Sequence, residues 1–464
     1  MALDTRTGPP KEFVALYDHV VTCGRCGFCQ PTCPIFRATG REGHVARGKL
    51  ALYRNIIEGR AEIEPGAKDA FANCLLCRAC TANCFSAVKT DQVVMSFRHA
   101  YAERFGRSFL QRRVFRSLLP RPRLMRALVR GVWALRKTGL ADAARRIGLV
   151  GLLNPKLERA LELRAGTPGP LLSKRLAERF REDSGARPRV GYWMSCGYNY
   201  VLPEVGEATV RVLEDLGFAV EVLDNCCCGL AAYGYGDREA AAKLARENLR
   251  RLADLDRFEA VVSECGSCSG HLKEYPEVLA DDPEWRARAE KLQAKTRSFS
   301  EFVMERGGPT PLPTDRPVGT EIGSASEAVP STASPGTIVT YHDPCHLGSR
   351  YQTVVSQPRQ ILQSLPGVIF RESAESDSCC GAAGTYGVLH PATSAAIIER
   401  KMSFIRETGA SVVVTECPSC MMQLAFGARE AGLDVAVLNV SQMCDSVGNR
   451  IPRDELEEVS DQKA

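Results

Sequence analysis

Two cysteine motifs occur twice in the C-terminal half of the chain, and they constrain its fold more than any other feature. Each copy has an adjacent cysteine pair before a glycine and then a C-x-x-C motif, with 152 residues between equivalent cysteines. One further cysteine precedes each copy. Such spacing is typical of metal ligands rather than of single buried cysteines. We therefore predict a duplicated module with five cysteines in each copy, which are Cys196, Cys227, Cys228, Cys265 and Cys268 in the first and Cys345, Cys379, Cys380, Cys417 and Cys420 in the second.

The length and composition place the chain among multidomain globular proteins. It has 464 residues, of which 44% are hydrophobic, so it can bury more than one core. Twenty cysteines without a signal-peptide pattern indicate metal binding in a reducing compartment rather than a disulfide scaffold. No apolar run has the length of a membrane-spanning helix. We therefore expect a cytoplasmic protein, or one that lies peripherally at the inner face of the cell membrane.

Two C-x-x-C-x-x-C-x-x-x-C runs near the N-terminus predict a pair of [4Fe–4S] cubane clusters. In bacterial ferredoxins the fourth cysteine of each run ligates the other cluster. By that rule, one cluster is held by Cys23, Cys26, Cys29 and Cys84, and the other by Cys74, Cys77, Cys80 and Cys33. Zinc is the competing metal, but eight cysteines in this spacing exceed the four ligands of a structural zinc site. Phe85 stands where the second run usually has proline, which removes no ligand.

The residues around these two runs predict helices. A short helix is expected over residues 11–21, and apolar residues recur at helical spacing over 47–57 and 92–105. This pattern favours a helical ferredoxin domain over the compact β-rich form.

Residues 104–189 are strongly basic, with 22 Lys and Arg against six acidic residues, whereas the whole chain has a net charge of +5. Residues 109–150 resemble basic amphipathic helices that break at Pro120 and Pro122. Two interpretations are open: a helical connector whose arginines are solvated or paired, or a surface that docks a partner subunit or an anionic membrane face. Nucleic-acid binding is not expected, because no recognition motif accompanies the charge.

After Arg189 the pattern alternates between strands and helices. Strands are predicted at residues 190–194, 218–223 and 260–263 of the first module, and at 337–341, 367–370 and 411–415 of the second. Alternating strands and helices predict a parallel sheet with helices on its faces. Ligands of such sheets bind beyond the carboxyl ends of the strands. Since the module cysteines follow strands, the five in each module are expected to converge on one edge, where Gly229 and Gly381 let the backbone approach a cluster.

The predicted fold class is α/β with an all-α N-terminal part: a helical di-cluster ferredoxin domain, then two duplicated modules with parallel sheets. The segment at 307–336 has six prolines, five glycines and no aromatic residue, so it cannot build a core. The predicted boundaries are 1–103 for the ferredoxin domain, 104–188 for the basic connector, 189–306 for the first module, 307–336 for the linker, 337–446 for the second module and 447–464 for a charged tail.

With these motifs the chain resembles the glycolate oxidase iron–sulfur subunit family over residues 20–445. It is also similar to heterodisulfide reductase subunits and to the C subunit of anaerobic glycerol-3-phosphate dehydrogenase. The most specific segments are CCGAAGTYG at 379–387 and HDPCHLG at 342–348. Glycolate oxidase subunits often lack the last C-x-x-C, which this chain keeps in both modules, as heterodisulfide reductase relatives do. The resemblance implies that the five cysteines of one or both modules hold a non-cubane [4Fe–4S] cluster.

Two cysteines lie outside these ligand sets. Cys226 extends the first pair to a triplet, so Cys226 with Cys227 is an alternative ligating pair, although the 152-residue repeat favours Cys227 with Cys228. Cys444 is predicted to be a small buried hydrophobic residue.

Four polar residues beside the module cysteines have two interpretations each. His342 and His346 flank Cys345 and either serve the cluster, by hydrogen bonds to its sulfurs or by proton relay, or form a locally satisfied turn. Glu264 and Glu416 directly precede the C-x-x-C motifs, where we predict a role around the cluster or at a helix start.

The sequence shows no G-x-G-x-x-G after a strand, no Walker loop and no Ser/His/Asp constellation, so no flavin or nicotinamide site is predicted and the catalytic residues are unknown. The resemblance implies an iron–sulfur subunit of a flavin-dependent dehydrogenase for a 2-hydroxy acid such as glycolate or lactate. A partner flavin subunit would oxidise the substrate, and this chain would pass the electrons to a quinone or another acceptor. The alternative is a heterodisulfide reductase-like thiol–disulfide oxidoreductase with catalysis at a module cluster. A third interpretation makes the modules structural, with zinc or no metal.

Overall fold

The computed structural model describes residues 11–139, 143, 144, 150, 152, 155–163, 170–179, 187–308 and 336–448. Most of the predicted linker and the charged tail from residue 449 lie outside the described residues. Within the described ranges, no helix is long and apolar enough to cross a membrane.

The N-terminal region is helical in its described part, which confirms the prediction of a helical ferredoxin fold. Aromatic pairs form its core: Phe13 stacks on Tyr53 with ring centroids 4.2 Å apart, and Phe71 stacks on Phe97 at 3.7 Å. The single helix predicted over 11–21 is two short helices. The helices are Lys11–Val14, Tyr17–Val21, Cys29–Thr32, Pro34–Thr39, Ala46–Ile57, Pro65–Ala72, Ala79–Ala82 and Thr90–Phe105, with a 3₁₀ turn at Glu42–His44.

The basic segment is also helical where the structure describes it. Pro122 begins its longest helix, where a missing N–H leaves no intrahelical hydrogen bond unmade. We call this helix, Pro122–Lys137, the connector helix. Trp133 Nε1 on it donates a hydrogen bond to the Tyr200 carbonyl of the first module at 3.1 Å. The other elements are Phe109–Arg113, a π-helical turn at Val114–Leu118, Pro155–Leu163 and Leu172–Arg179.

The two modules contain one parallel four-stranded sheet each. The first sheet has strands β1 (Arg189–Tyr192), β2 (Ala219–Val222), β3 (Ala260–Ser263) and β4 (Thr296–Ser298) in the order β2-β1-β3-β4. The second has β5 (Thr337–Tyr341), β6 (Val368–Phe370), β7 (Val412–Val414) and β8 (Ala436–Leu438) in the equivalent order β6-β5-β7-β8. Every pairing is parallel. The sequence predicted three strands of each sheet and missed β4 and β8, which are three-residue edge strands.

Helices cover the faces of both sheets, and the two modules share one apolar core. Residues of β1, β3, β5 and β7 pack in a single buried cluster that also includes Cys444, as predicted for this cysteine. The helices of the first module are Cys196–Tyr200, Pro203–Asp215, Leu230–Gly234, Arg238–Arg251, Gly266–Lys273, Tyr275–Val278, Pro283–Lys295 and Phe299–Glu305. Those of the second are Ser356–Ser364, Tyr386–Leu389, Pro391–Thr408, Pro418–Glu430 and Val440–Gly448.

Candidate metal centres

The two ferredoxin-type loops have the same backbone shape. The residue before the second cysteine of each run has a positive φ, 52° at Arg25 and 53° at Leu76, and the residue after that cysteine does too, 86° at Gly27 and 57° at Arg78. Left-handed residues other than glycine are uncommon and persist only where the surroundings require them. Their recurrence at equivalent positions indicates that both loops are shaped to present three cysteines to one point.

Cys33 of the first run lies beside cysteines of the second run. Burial, together with the neighbouring Cys74 and Cys33, raises the pKa of Cys80 to about 12. The Cys33 sulfur also accepts a hydrogen bond from Phe36 N at 3.5 Å, at the start of the helix Pro34–Thr39. This proximity agrees with the crossed ligand set predicted from the spacing.

The ten module cysteines form one continuous row of sulfur atoms. In the first module, Cys196 is hydrogen-bonded to Cys227, Cys227 to Cys228, and Cys268 contacts Cys228 with 3.7 Å between the sulfurs. The second module repeats this with contacts of Cys345 to Cys379, Cys379 to Cys380, Cys380 to Cys420 and Cys420 to Cys417. The two halves of the row meet where Cys265 contacts Cys417.

The triplet in the first module divides into a pair that joins the row and one cysteine that does not. Cys228 reaches Cys268, as described above. Cys226 instead directs its thiol toward the Cys227 carbonyl at 3.7 Å, and it packs among apolar residues that include Phe115. The geometry therefore favours Cys227 with Cys228, the pair that the repeat spacing selected.

The two C-x-x-C loops pack against each other across the module boundary. Gly266 N donates a hydrogen bond to the Glu416 carbonyl at 2.8 Å, and Ser267 Oγ lies 3.6 Å from Cys417 Sγ. A Cβ atom on Gly266 would lie 2.7 Å from Leu347 Cβ, and one on Gly197 would lie 2.5 Å from Pro418 Cγ. Both glycines therefore permit the close approach that joins the two halves of the row.

The ferredoxin region contacts the second module at the far end of the row. Cys77 and Cys33 pack in one apolar cluster with Cys379 and Cys345. Tyr386, in the most specific segment of the sequence, donates a hydrogen bond to Asn73 Oδ1 at 3.1 Å, next to Cys74. The cysteine sites therefore follow one another in space as ferredoxin loops, second module and first module.

His342 shows that the second module has room for a group that accepts hydrogen bonds. The side chain is buried, neither ring nitrogen has a partner, and one lies within 4.8 Å of Cys380 Sγ and Cys420 Sγ. Burial lowers the pKa of His342 to about 3, so the ring is neutral and carries one N–H. A buried unpaired N–H costs free energy unless an acceptor is present, and a cluster sulfide is such an acceptor. Thiolates with this neighbour fit an iron–sulfur cluster.

His346, the second predicted histidine, has a different environment. Its ring lies against Tyr351, with centroids 4.9 Å apart, and its carbonyl accepts a hydrogen bond from Gln352 Nε2 at 2.7 Å. The two histidines, for which the sequence predicted the same role, therefore have different surroundings in the structure.

Glu264 and Glu416, each directly before a C-x-x-C motif, are buried and accept hydrogen bonds from equivalent tyrosines. Tyr192 donates to Glu264 Oε1 at 2.9 Å, and Tyr341 donates to Glu416 Oε2 at 3.2 Å. Burial raises the pKa of Glu264 to about 8 and that of Glu416 to about 7. The two tyrosines were not predicted from the sequence, although their separation of 149 residues equals that of Cys196 and Cys345 and offered a signal.

A cleft of about 440 Å³ opens at the end of the row formed by Cys196 and Cys227. Its walls come from the carboxyl ends of β1 and β2 and from the connector helix. The apolar side chains that line it are Leu119, Pro122, Met125, Leu176, Met194, Tyr200, Val222 and Leu223, and the polar ones include Arg126, Ser173, Asn199 and Asn225.

Two residues that fix the ferredoxin region against the modules were also not predicted. Arg98 donates to the carbonyl of Cys74 at 2.7 Å and to the carbonyl of Gly234 in the first module at 2.6 Å. Arg78 forms ion pairs with Asp91 and with Glu274 of the first module, each at 2.8 Å. Neither arginine has a spacing signal, because its partners are distant in the sequence.

The fold and these sites define an iron–sulfur protein with a di-cluster ferredoxin region and two cysteine-rich modules. Residues 19–88 match the 4Fe-4S dicluster domain, and residues 190–273 and 339–425 each match the cysteine-rich domain. Residues 106–163 match the linker region of the glycolate oxidase iron-sulfur subunit. The dicluster match indicates that the first of these regions holds two [4Fe–4S] clusters.

Among curated proteins, the chain is 31% identical over 424 residues to a probable glycolate oxidase iron-sulfur subunit from Bacillus subtilis, covering 89% of this chain and 90% of that protein. It is 32% identical over 259 residues to lactate utilization protein A from Shouchella clausii, covering 55% of this chain and 98% of that protein. A solved structure of a hypothetical protein from Helicobacter pylori aligns with a TM-score of 0.38 and 11% identity, over 62% of this chain and 55% of that one. The chain belongs to the glycolate oxidase iron–sulfur subunit family.

Proposed function

We propose that this chain is the electron-transfer subunit of a flavin-dependent dehydrogenase for a 2-hydroxy acid of the glycolate or lactate type. It receives electrons from a partner flavin subunit and delivers them to a quinone or another acceptor. The observation that carries this proposal is the series of cysteine sites, which continues without a gap from the ferredoxin loops to the cleft at Cys196. The names of the relatives, which mention glycolate oxidase and lactate utilization, support the substrate class.

The cysteines of this chain provide ligands, and most of those in the two modules are buried. We assign one cubane to Cys23, Cys26, Cys29 and Cys84 and the other to Cys74, Cys77, Cys80 and Cys33, and we assign one non-cubane cluster to each set of five module cysteines. When bound, such clusters supply one-electron redox chemistry whose potential depends on burial and on hydrogen bonds to sulfur. Seven of the ten module cysteines are buried, and His342 offers an N–H beside Cys380 and Cys420. The protein therefore controls ligation, burial and hydrogen bonding.

An exposed aromatic pair marks the surface on which the flavin subunit docks. Phe85, which replaces the usual proline after Cys84, has 82% of its surface exposed, and Phe28 has 54%. The two rings contact edge to face, with centroids 5.0 Å apart, beside the exposed Cys26. Aromatic side chains that lie exposed next to a ligand site are typical of the centre of a protein interface.

The second candidate function is a thiol–disulfide oxidoreductase. The observation that favours it is the cleft, which gives a small molecule access to Cys196, together with the complete C-x-x-C motif in both modules. Disulfide cleavage needs such an accessible sulfur or open ligand position, whereas electron transfer needs only a route in and a route out.

The proposal is tested with the cluster-loaded chain and its flavin subunit. The isolated chain will not oxidise a 2-hydroxy acid, and the flavin subunit will restore reduction of a quinone analogue. A Phe28→Ser/Phe85→Ser variant will require about tenfold or more flavin subunit for half-maximal rate, since it removes two apolar anchors. Ile369→Ser, which changes an exposed residue of the edge strand β6, is the matched control. Rapid turnover of small disulfides with the quinone untouched would favour the second candidate instead.

A further inference from the structure

The connector helix exposes an apolar stripe on a surface that the rest of the described chain leaves uncovered. Its members recur at helical spacing, and each has half or more of its surface exposed. They are Leu124 (50%), Leu128 (52%), Val132 (51%) and Leu135 (58%). The preceding helix adds Phe109 and Leu110, which are exposed by 67% and 72%. An amphipathic helix of a globular protein normally turns such a stripe toward the core. Here Met125, Val129 and Trp133 face inward instead.

Basic side chains border this stripe along one side of the helix. Arg123, Arg130 and Lys137 are exposed and follow one another at intervals of seven residues. Residues 104–141 contain no Asp or Glu. An apolar stripe flanked by Lys and Arg is the pattern of a helix that lies in the interface of an anionic membrane. Docking to a protein partner would not require charges of one sign along the helix. The complementarity between these basic side chains and an anionic lipid surface therefore favours a membrane.

The inward side of the same helix forms a wall of the cleft at Cys196. Pro122, Met125 and Arg126 face this cleft, while Leu124 and Leu128 are exposed on another side. An α-helix is about 10 Å wide with its side chains. The stripe and the cleft are therefore separated by roughly the thickness of one helix.

We propose that the connector helix docks the protein on an anionic membrane surface, and that the cleft behind it accepts a lipid-soluble electron acceptor of the quinone class. A quinone head group has an apolar ring and carbonyl oxygens. The cleft offers apolar walls from Met125, Leu176 and Met194 and donor groups from Arg126. Reduction of the quinone to a quinol takes two electrons and two protons, which match those released when a 2-hydroxy acid becomes a 2-oxo acid. The acceptor part rests on the proposed function, whereas the docking part does not.

The docking part is tested by sedimentation of the cluster-loaded chain with lipid vesicles, without turnover. The chain will bind vesicles that contain phosphatidylglycerol and will bind phosphatidylcholine vesicles about tenfold or more weakly. Leu128→Glu/Leu135→Glu will lose binding, and Arg123→Gln/Arg130→Gln will weaken it about tenfold or more on anionic vesicles only. Ile369→Glu is the control for a charge at an exposed apolar position. Iron content and circular dichroism verify that each variant is folded.

Three results would overturn the docking part. The first is absence of binding to anionic vesicles, and the second is full binding by the Leu128→Glu/Leu135→Glu variant. The third is loss of the flavin subunit from this variant with vesicle binding unchanged, which would assign the stripe to a protein partner.

The acceptor part is tested by equilibrium dialysis of a short-chain quinone against the cluster-loaded chain. The wild-type chain will bind one quinone, and Met125→Trp, which fills the cleft, will reduce the affinity about tenfold or more. No binding to the wild type, or equal binding by the variant, would overturn the cleft assignment. Quinone binding in this assay does not depend on the flavin subunit, so a failure here is distinguishable from a failure of the proposed function.

Discussion

Replacement of Cys379 by alanine will abolish reduction of a quinone analogue, while a 2-hydroxy acid still reduces the flavin of the partner subunit. Cys379 is placed where the ferredoxin region meets the second module, because it packs with Cys77 and is hydrogen-bonded to Cys345 and Cys380. The substitution removes a predicted cluster ligand at the contact between the ferredoxin region and the second module. The measurement compares the rate of flavin bleaching with the rate of quinone reduction in the same complex.

Another buried cysteine provides a control for this variant. Cys444 packs in the shared core, away from the sulfur row. Cys444→Ala is expected to keep quinone reduction within about twofold of the wild-type rate, since a buried free cysteine acts as a small hydrophobic residue. Quinone reduction by Cys379→Ala at the wild-type rate would show that electrons do not pass the second module.

Replacement of Cys33 by serine will remove the cluster assigned to Cys74, Cys77 and Cys80, and will spare the cluster assigned to the neighbours of Cys33 in the sequence. The expected loss is about four of the eight irons of the ferredoxin pair. Serine is a good N-cap, so the hydrogen bond from Phe36 N at the start of the helix Pro34–Thr39 is retained and the loss reports ligation. Iron content and low-temperature electron paramagnetic resonance measure the effect.

Cys26→Ser is the reciprocal variant and will remove the other cubane. Distinct spectra for the two variants, each with one cubane signal left, are expected for the crossed arrangement. If Cys33→Ser instead eliminates the signal that Cys26→Ser eliminates, each run ligates its own cluster and the crossed assignment is wrong.

Most of the fold could be predicted from the spacing of sequence motifs. The repeated cysteines and the alternation of strands and helices predicted two parallel sheets, which the structure confirms. The edge strands β4 and β8 were missed because three residues such as Thr296–Ser298 are too short to show a strand period. The domain boundaries and the ligand sets stay predictions.

The relations between the modules were not visible in the sequence. The contact of Cys265 with Cys417 joins residues of two separate repeats, and it depends on the close packing of Gly266 against Leu347. A local sequence pattern predicts which residues follow a strand. It does not predict which strand ends lie close together in the folded chain. For the same reason the sequence predicted the same alternatives for His342 and His346. In the structure, His342 lies beside Cys380 and Cys420 and His346 packs against another part of the chain.

The sequence correctly predicted amphipathic helices in the connector. It did not predict which way the apolar face of the connector helix points. The apolar face of a helix usually packs inward, and nothing in the sequence shows that Leu128 faces away from the core while Trp133 bonds to Tyr200. Phe85 is a similar case. Its departure from the usual proline was apparent, whereas its exposed contact with Phe28 required the structure.

Metal analysis of the anaerobically purified chain tests most directly whether eighteen cysteines hold four iron–sulfur clusters in one series. About sixteen irons per chain and no stoichiometric zinc are expected. About eight irons together with stoichiometric zinc would leave the ferredoxin pair intact. That result would contradict the assignment of clusters to the modules, and with it the route from the ferredoxin loops to the cleft at Cys196.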